Sequence, residues 1–195
     1  MQPVTFRKGH GAGNDFVLLP EPIAELDAAT VALLCDRHFG VGANGLVQPI
    51  REGNHWFMDY RNADGSLAQT CGNGIRVFAR HLVETGLEQR GTFTVGTRGG
   101  DVRVTVREDD ADFRDVAVVM GRATGLDEPC VEIVTETGTF LGSRAYMPNP
   151  HCVCIVSDID SAGNLHNKPD VRPATAFPEG CLLYTSDAAD DTPCV

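Results

Sequence analysis

Positive charge is scarce in this sequence. Its 16 Lys and Arg residues face 27 Asp and Glu, for a formal net charge of −11, and the pI is about 4.8. That balance argues against nucleic acid or an anionic membrane as a partner. No apolar run is long enough to span a bilayer. The opening Met1-Gln2-Pro3-Val4-Thr5-Phe6 lacks the apolar core of a signal peptide, so a cytoplasmic location is expected. There is no disulfide framework either: the seven cysteines are odd in number and irregularly spaced, as suits free thiols in a reducing compartment. No His/Cys cluster has metal-ligand spacing, and Cys152-Val153-Cys154 is not a zinc spacing. His10-Gly11-Ala12-Gly13 lacks the third glycine of a dinucleotide fingerprint, and an extended run follows it instead of a helix.

What remains is an ordinary globular composition, 195 residues of which 42% are hydrophobic, enough for one domain or one and a half. Thr5 to Lys8 and Phe16 to Leu19 read as strands around a Gly-rich turn from His10 to Asp15. Asp27 is a plausible N-cap for a helix running to His38, ended by Gly40 and Gly42. Trp56 to Tyr60 reads as a strand leading into a turn at Asn62. Thr92 to Val95 and Val102 to Val106 read as strands around a hairpin-like turn from Arg98 to Asp101, followed by a strand from Val116 to Met120. After a linker or crossover from Gly121 to Pro129, a second strand-rich unit covers Cys130 to Thr135, Thr139 to Leu141 and His151 to Val156. The pattern is α+β, with many strands and few helices, and not the regular alternation of a doubly wound sheet.

The chemistry concentrates at Asn62-Ala63-Asp64-Gly65-Ser66 followed by Cys71-Gly72-Asn73-Gly74. Directly after the second run, Ile75, Phe78, Ala79, Leu82 and Val83 recur at helical spacing, predicting an amphipathic helix that ends near Gly86. Cys71 then sits at the helix N-terminus. Free backbone N–H groups and the positive end of the dipole there favour a thiolate and can hold a substrate carboxylate. A thiol that titrates at about 8.5 when free is expected to drop by a unit or more in such a place. The other cysteines read as packing residues: Cys35 in the first helix, Cys152 and Cys154 in a strand-like run, Cys130 in a loop or at a strand edge.

Four segments together resemble diaminopimelate epimerases. They are Phe6-x-Lys8-x-His10-Gly11-x-Gly13-Asn14-Asp15-Phe16, Arg37-His38-x-Gly40-Val41-Gly42, the Asn62 and Cys71 runs, and Asn149-Pro150-His151-Cys152-Val153. Phe177-Pro178-Glu179-Gly180 is also like the family. The resemblance implies two similar lobes, each a curled, mostly antiparallel sheet around a central helix. It implies cofactor-independent interconversion of LL- and meso-diaminopimelate, in lysine and peptidoglycan precursor biosynthesis, by two cysteines on opposite faces of the α-carbon. By position, Cys71 matches the first catalytic cysteine, and Gly72 and Asn73 match backbone donors at the helix start. Asn14, Asn62 and Asn149 match side chains that bind the substrate's amino and carboxyl groups. An asparagine amide suits a zwitterion because it donates and accepts without adding charge, although each asparagine alone would pass as a turn residue. The family tendency is a homodimer acting on a small amino-acid substrate.

The sequence departs from the family pattern at Asn44 and Gly45, where an Asp and often a Gln are usual, and at Pro148, which replaces a glycine. The second catalytic cysteine is missing, because neither Cys181 nor Cys194 has a Cys-Gly-Thr-Gly context. Cys181 to Asp190 matches what one reading frame of a sequencing-library adaptor would encode. The expected organisation is therefore an N-terminal lobe at 1–120, a partial second lobe at 121–180 and a non-native tail at 181–195. The chain as it stands is expected to be poorly soluble and inactive as an epimerase. The alternatives are a proline or hydroxyproline epimerase-like enzyme and a non-catalytic fragment that binds an amino acid.

Overall fold

The computed structural model describes residues 5–107, 115–125, 130–147, 149–163, 168–178 and 180–181. Pro148, most of the tail from 182 onward and residues 126–129 of the expected crossover lie outside them. The chain divides into two compact units, with the boundary along the sequence between Met120 and Gly121.

The first unit is built on seven strands: β1 (Arg7–Gly11), β2 (Asn14–Leu18), β3 (Gly45–Glu52), β4 (His55–Asn62), β5 (Gly91–Thr97), β6 (Gly100–Val106) and β7 (Val116–Val119). They lie in chain order across one sheet. Neighbours pair antiparallel except β2 with β3 and β4 with β5, which are parallel. Each parallel pair is joined by a helical crossover: α1 (Ala28–Cys35) between β2 and β3, and α2 (Gly72–Glu84) between β4 and β5. Helix α2 packs on β1 and β2 at one end of the sheet and on β6 and β7 at the other. A sheet whose two ends meet one helix has curled around it.

Strand β2 shows why the unit has two cores. Its side chains alternate across the sheet. Phe16 and Leu18 join Ile75, Phe78 and Leu82 of α2, with Met58, Val95 and Val104. Val17, on the other face, and Leu19 just beyond the strand join Val31 and Cys35 of α1 with Leu46. From Phe16 to Leu18 the strand is buried on both faces. Ile75, Phe78 and Leu82 are fully buried, and each contributes about 1.5–3 kcal/mol.

The helices end for local reasons. Asp27 caps α1 as expected, its carboxylate accepting from the Thr30 N–H at 2.6 Å. The helix stops at Cys35, short of the expected His38. The Asp36 backbone turns extended, and its carboxylate accepts instead from the His38 and Phe39 N–H groups, both at 2.7 Å. The chain then doubles back so that Val41, Gly42 and Ala43 donate to the open carbonyls of Leu34 and Cys35. Gly40 has no room for a side chain there: a Cβ would stand 2.0 Å from the Leu33 carbonyl oxygen. Helix α2 closes near Gly86, with Leu87 and Glu88 donating back to the Leu82 carbonyl.

Strand β3 was not anticipated. It contains Pro49, which removes a ladder donor, but Pro49 lies past Val47, where the pairing with β2 ends. The first strand pair is also longer than the sequence implies: β1 and β2 run into the glycine-rich segment, leaving Ala12 and Gly13 as a two-residue turn, both with positive φ.

The second unit carries β8 (Val131–Val134), β9 (Thr139–Met147), β10 (Asn149–Val153) and β11 (Asp170–Arg172), with short 3-10 turns at Ile159–Ala162 and Ala174–Ala176. The strands form an antiparallel sheet in the order β10-β9-β8-β11. Its small core gathers Val131, Ile133, Cys152, Ala176 and Phe177. Among the described residues this unit has no α-helix. No helix among the described residues is long and apolar enough to cross a membrane.

Candidate active site

Cys71 is the N-cap of α2. Its backbone is extended and its sulfur accepts from the Gly74 N–H at 3.4 Å. The Asn73 N–H also favours the charged sulfur. From the start of β2, the Asn14 side-chain amide donates to the same sulfur at 3.6 Å. Two residues 57 positions apart thus meet because β2 lies beside the start of α2. Close approach at this junction needs small residues. A Cβ on Gly11 would stand 3.1 Å from the Asn73 carbonyl oxygen, and one on Gly74 would lie 3.4 Å from the Cys71 Cβ and 3.5 Å from the Phe16 ring.

The thiol is not depressed as the sequence implied. Burial pushes it up, and the N–H groups of Gly74 and Asn73, together with the Arg76 charge, pull it back only in part. The helix start was visible in the sequence, but the depth at which the sulfur sits was not. Tyr60 on β4 is pushed up to about 12, first by burial and then by the nearby Cys71 charge. Its ring meets Phe16 edge-on at 5.7 Å and covers Gly45, where a Cβ would stand 2.5 Å from ring atom Cε2. One departure from the family pattern thereby has a packing reason.

The other departure, Asn44, belongs to a polar clasp. Its N–H donates to the Asp15 carboxylate at 3.0 Å, and its side-chain oxygen accepts from Arg37 at 2.9 Å. Arg37 also forks onto Asp15 at 2.8 and 3.2 Å, and Lys8 reaches the same carboxylate at 2.8 Å. With Arg37 the largest cause, these cations hold Asp15 well below the usual carboxylate range. An open crevice of about 470 Å³ is lined by Lys8, Gly9, His10, Gly13, Asp15 and Arg37. It includes neither Cys71 nor any residue expected to bind substrate, and its charges are already paired.

The remaining expected residues lie on three elements. Gly72 opens α2, and Asn73 follows with its side-chain oxygen held by Arg76. Asn62, at the end of β4, closes the turn before Cys71. Its amide donates to the Ser66 hydroxyl at 3.0 Å and its N–H to the Ser66 carbonyl at 2.9 Å. Asn149 opens β10 in the second unit, paired with Met147.

Sequence reasoning missed a buried ion cluster behind this turn. Asp59, only 2% exposed, accepts from Arg98, from Gln48 at 2.7 Å and from Arg61 at 3.3 Å. Burial pushes Asp59 up, but these hydrogen bonds and charges outweigh it and leave the carboxyl below its ordinary value. Arg98 also donates to the Tyr60 carbonyl, and the adjacent Gly99 N–H donates to the Gln69 carbonyl at 2.8 Å. The β5–β6 turn therefore pins the segment that delivers Cys71. No local pattern marks such a cluster, because its members lie on two strands, β3 and β4, and the distant β5–β6 turn. Among the described residues, no group of three or more His, Cys, Asp or Glu side chains could hold a metal ion.

A model of the diaminopimelate epimerase family matches residues 6–126. The chain is 43% identical over 190 residues to the diaminopimelate epimerase of Streptomyces coelicolor, covering 91% of this chain and 64% of that protein. It is 42% identical to the enzyme of that name from Thermobifida fusca, covering 90% of this chain and 68% of the relative. To that of Mycobacterium tuberculosis it is 44% identical, covering 81% and 61%. The chain thus spans about two thirds of the length of these relatives. Among solved structures, a hydroxyproline epimerase from Agrobacterium vitis, with trans-4-hydroxy-L-proline bound, superposes with a TM-score of 0.62 at 12% identity, covering 81% of this chain and 52% of the other. A probable proline racemase from Agrobacterium radiobacter gives 0.61 at 16% identity, covering 85% and 55%. At these identities the likeness is one of fold.

Proposed function

The chain belongs to the diaminopimelate epimerase family, and from that premise we propose that Cys71 transfers a proton in the cofactor-independent epimerisation of LL-diaminopimelate to the meso isomer. The observation that carries this is the convergence of Asn14 and the start of α2 on one sulfur.

The α-C–H of an amino acid is a very weak acid. In the step assigned to Cys71, the thiolate takes the α-proton. The C–H bond breaks, an S–H bond forms, and the electron pair left on carbon spreads into the carboxylate. Hydrogen-bond donors fixed around that carboxylate stabilise the charge in a site where water is excluded. The Gly72 and Asn73 N–H groups and the Asn14 amide are the donors assigned to this work, with Asn62 and Asn149 assigned to the rest of the zwitterion. A thiolate whose burial raises its pKa is the stronger base toward such a carbon acid, and the N–H groups at the helix start reduce the cost of forming it. Inversion needs a second acid on the opposite face. Among the described residues no other cysteine caps a helix N-terminus, so Cys71 is assigned one half of the exchange. The proline-type alternative rests on fold likeness alone, whereas the substrate reading rests on relatives more than 40% identical. The expected homodimer rests on the same resemblance.

The test is incubation of the chain with LL-diaminopimelate in deuterated water. Cys71-dependent deuterium entry at the α-carbon without inversion is expected, and entry that survives Cys71→Ser would overturn the assignment.

A further inference from the structure

Arg76 stands one turn into α2, a cation near the positive end of a helix dipole, where acidic residues are ordinarily favoured. The first turn of α2 has no acidic residue. The Arg76 side chain is half-buried and turned back along the helix, its guanidinium donating to the Asn73 side-chain oxygen. Asn73 lies between it and Cys71 in sequence and supplies one of the N–H groups that favour the charged sulfur. An arginine in this position fixes the amide beside the thiol and sets positive charge near a sulfur whose charged form burial disfavours. Tyr60 on β4 is a further titratable neighbour of Cys71, and burial pushes its pKa up.

We propose that Arg76 is a positioning residue of the Cys71 site, holding Asn73 at the helix start and setting beside it a fixed positive charge that favours the charged sulfur. This rests on the reading of Cys71 as the proton-transferring group, but its test does not need turnover. The rate of Cys71 alkylation by iodoacetamide is followed across about pH 6 to pH 10 in the full 195-residue chain, with the Cys71 peptide quantified by mass spectrometry. Arg76→Gln, which keeps a donor for Asn73 and loses the charge, is expected to move the inflection up by about one unit, an about tenfold slower reaction at a fixed lower pH. Arg76→Lys, which keeps the charge, is expected to stay within about half a unit of the native profile. An unchanged inflection in Arg76→Gln overturns the proposal, as does Arg76→Lys shifting as far as Arg76→Gln.

Should Arg76→Gln unfold, Cys71 would titrate near the free-thiol value of about 8.5, and the native chain decides alone. There the rate ratio of anionic iodoacetate to neutral iodoacetamide is expected to be higher at Cys71 than at the exposed Cys130, with the excess lost between about 50 mM and 1 M salt. A ratio at or below that of Cys130 overturns the proposal. Absence of Cys71-dependent deuterium exchange in the native chain would instead overturn the epimerase reading and leave the Arg76 comparison standing.

Discussion

Cys152 is buried and Cys71 half-buried, and burial raises both thiols, yet their neighbourhoods differ in kind. Cys71 caps a helix and faces two backbone N–H groups, the Asn14 amide and the charge of Arg76. Cys152 sits within the β9–β10 pairing, opposite Arg144, in the core of the second unit. After burial, its perturbing neighbours are the other thiols, Cys154 first, and it is pushed up to about 12. Both sulfurs crowd Gly142, where a Cβ would stand 2.6 Å from that of Cys152 and 2.8 Å from that of Cys154. Burial is therefore common to both cysteines and does not distinguish a chemical thiol from a packing one. Donors and charge do, and these come from where the chain puts the residue, at a helix start in one case and within a strand in the other.

The largest way to break the contrast is to remove the frame under Cys71. Phe78 is fully buried on α2 between the two ends of the sheet, so Phe78→Ala is expected to cost about 3–5 kcal/mol, read from urea unfolding. Val153→Ala at the 44% exposed position beside Cys152 is expected to cost about 0.5 kcal/mol or less. Equal losses would mean that the helix is not what holds the first unit. A smaller effect should sharpen the comparison without touching the fold. Asn14→Ala removes one donor to the charged sulfur and is expected to slow deuterium entry into diaminopimelate by about tenfold or more, with the unfolding midpoint nearly unchanged. An unslowed exchange would make Asn14 a turn residue and nothing else.

Much of this contrast was legible in the chain. The spacing of Ile75, Phe78, Ala79 and Leu82 revealed α2, and the glycines after Cys71 marked its start. The packing of Cys35 and Cys152 followed from their apolar surroundings. Three things were not legible. The end of α1 depended on whether the Asp36 carboxylate would serve the helix or the next turn. Strand β3 was hidden by a proline that is tolerated only because β2 has already stopped pairing. The direction of the Cys71 thiol depended on how deeply Phe16, Tyr60 and α2 bury it, which is a property of tertiary packing. Arg76 did leave a signal, a cation where a helix start favours an anion.

The smallest expected effect is on pH. His81 is 2% exposed in the last turn of α2, and neither ring nitrogen meets hydrogen-bond geometry with a partner among the described residues, although the Leu19 backbone nearby slightly favours the charged ring. Burial lowers its pKa in the folded chain. A depressed folded value means that the stability His81 contributes is fully present above its unfolded pKa of about 6.5 and is lost as pH falls through the lower folded value. Unfolding midpoints should decline from about pH 6.5 downward, and His81→Leu should flatten that decline. His151, also lowered by burial in the second unit, contributes a slope of the same sign, so the difference between native chain and variant isolates His81. Carboxylates such as Asp15 titrate well below this window. A slope unchanged in His81→Leu would assign the pH dependence elsewhere.

The most direct test sets the two cysteines side by side. LL-diaminopimelate is incubated in deuterated water with the native chain, Cys71→Ala and Cys152→Ala, and α-deuterium is followed by mass spectrometry. The expected result is exchange in the native chain, a loss on the order of a thousandfold in Cys71→Ala, and exchange within about twofold of native in Cys152→Ala, as for a packing residue. Exchange that persists in Cys71→Ala, or is lost equally in both variants, would contradict the assignment of the chemistry to the helix-capping thiol.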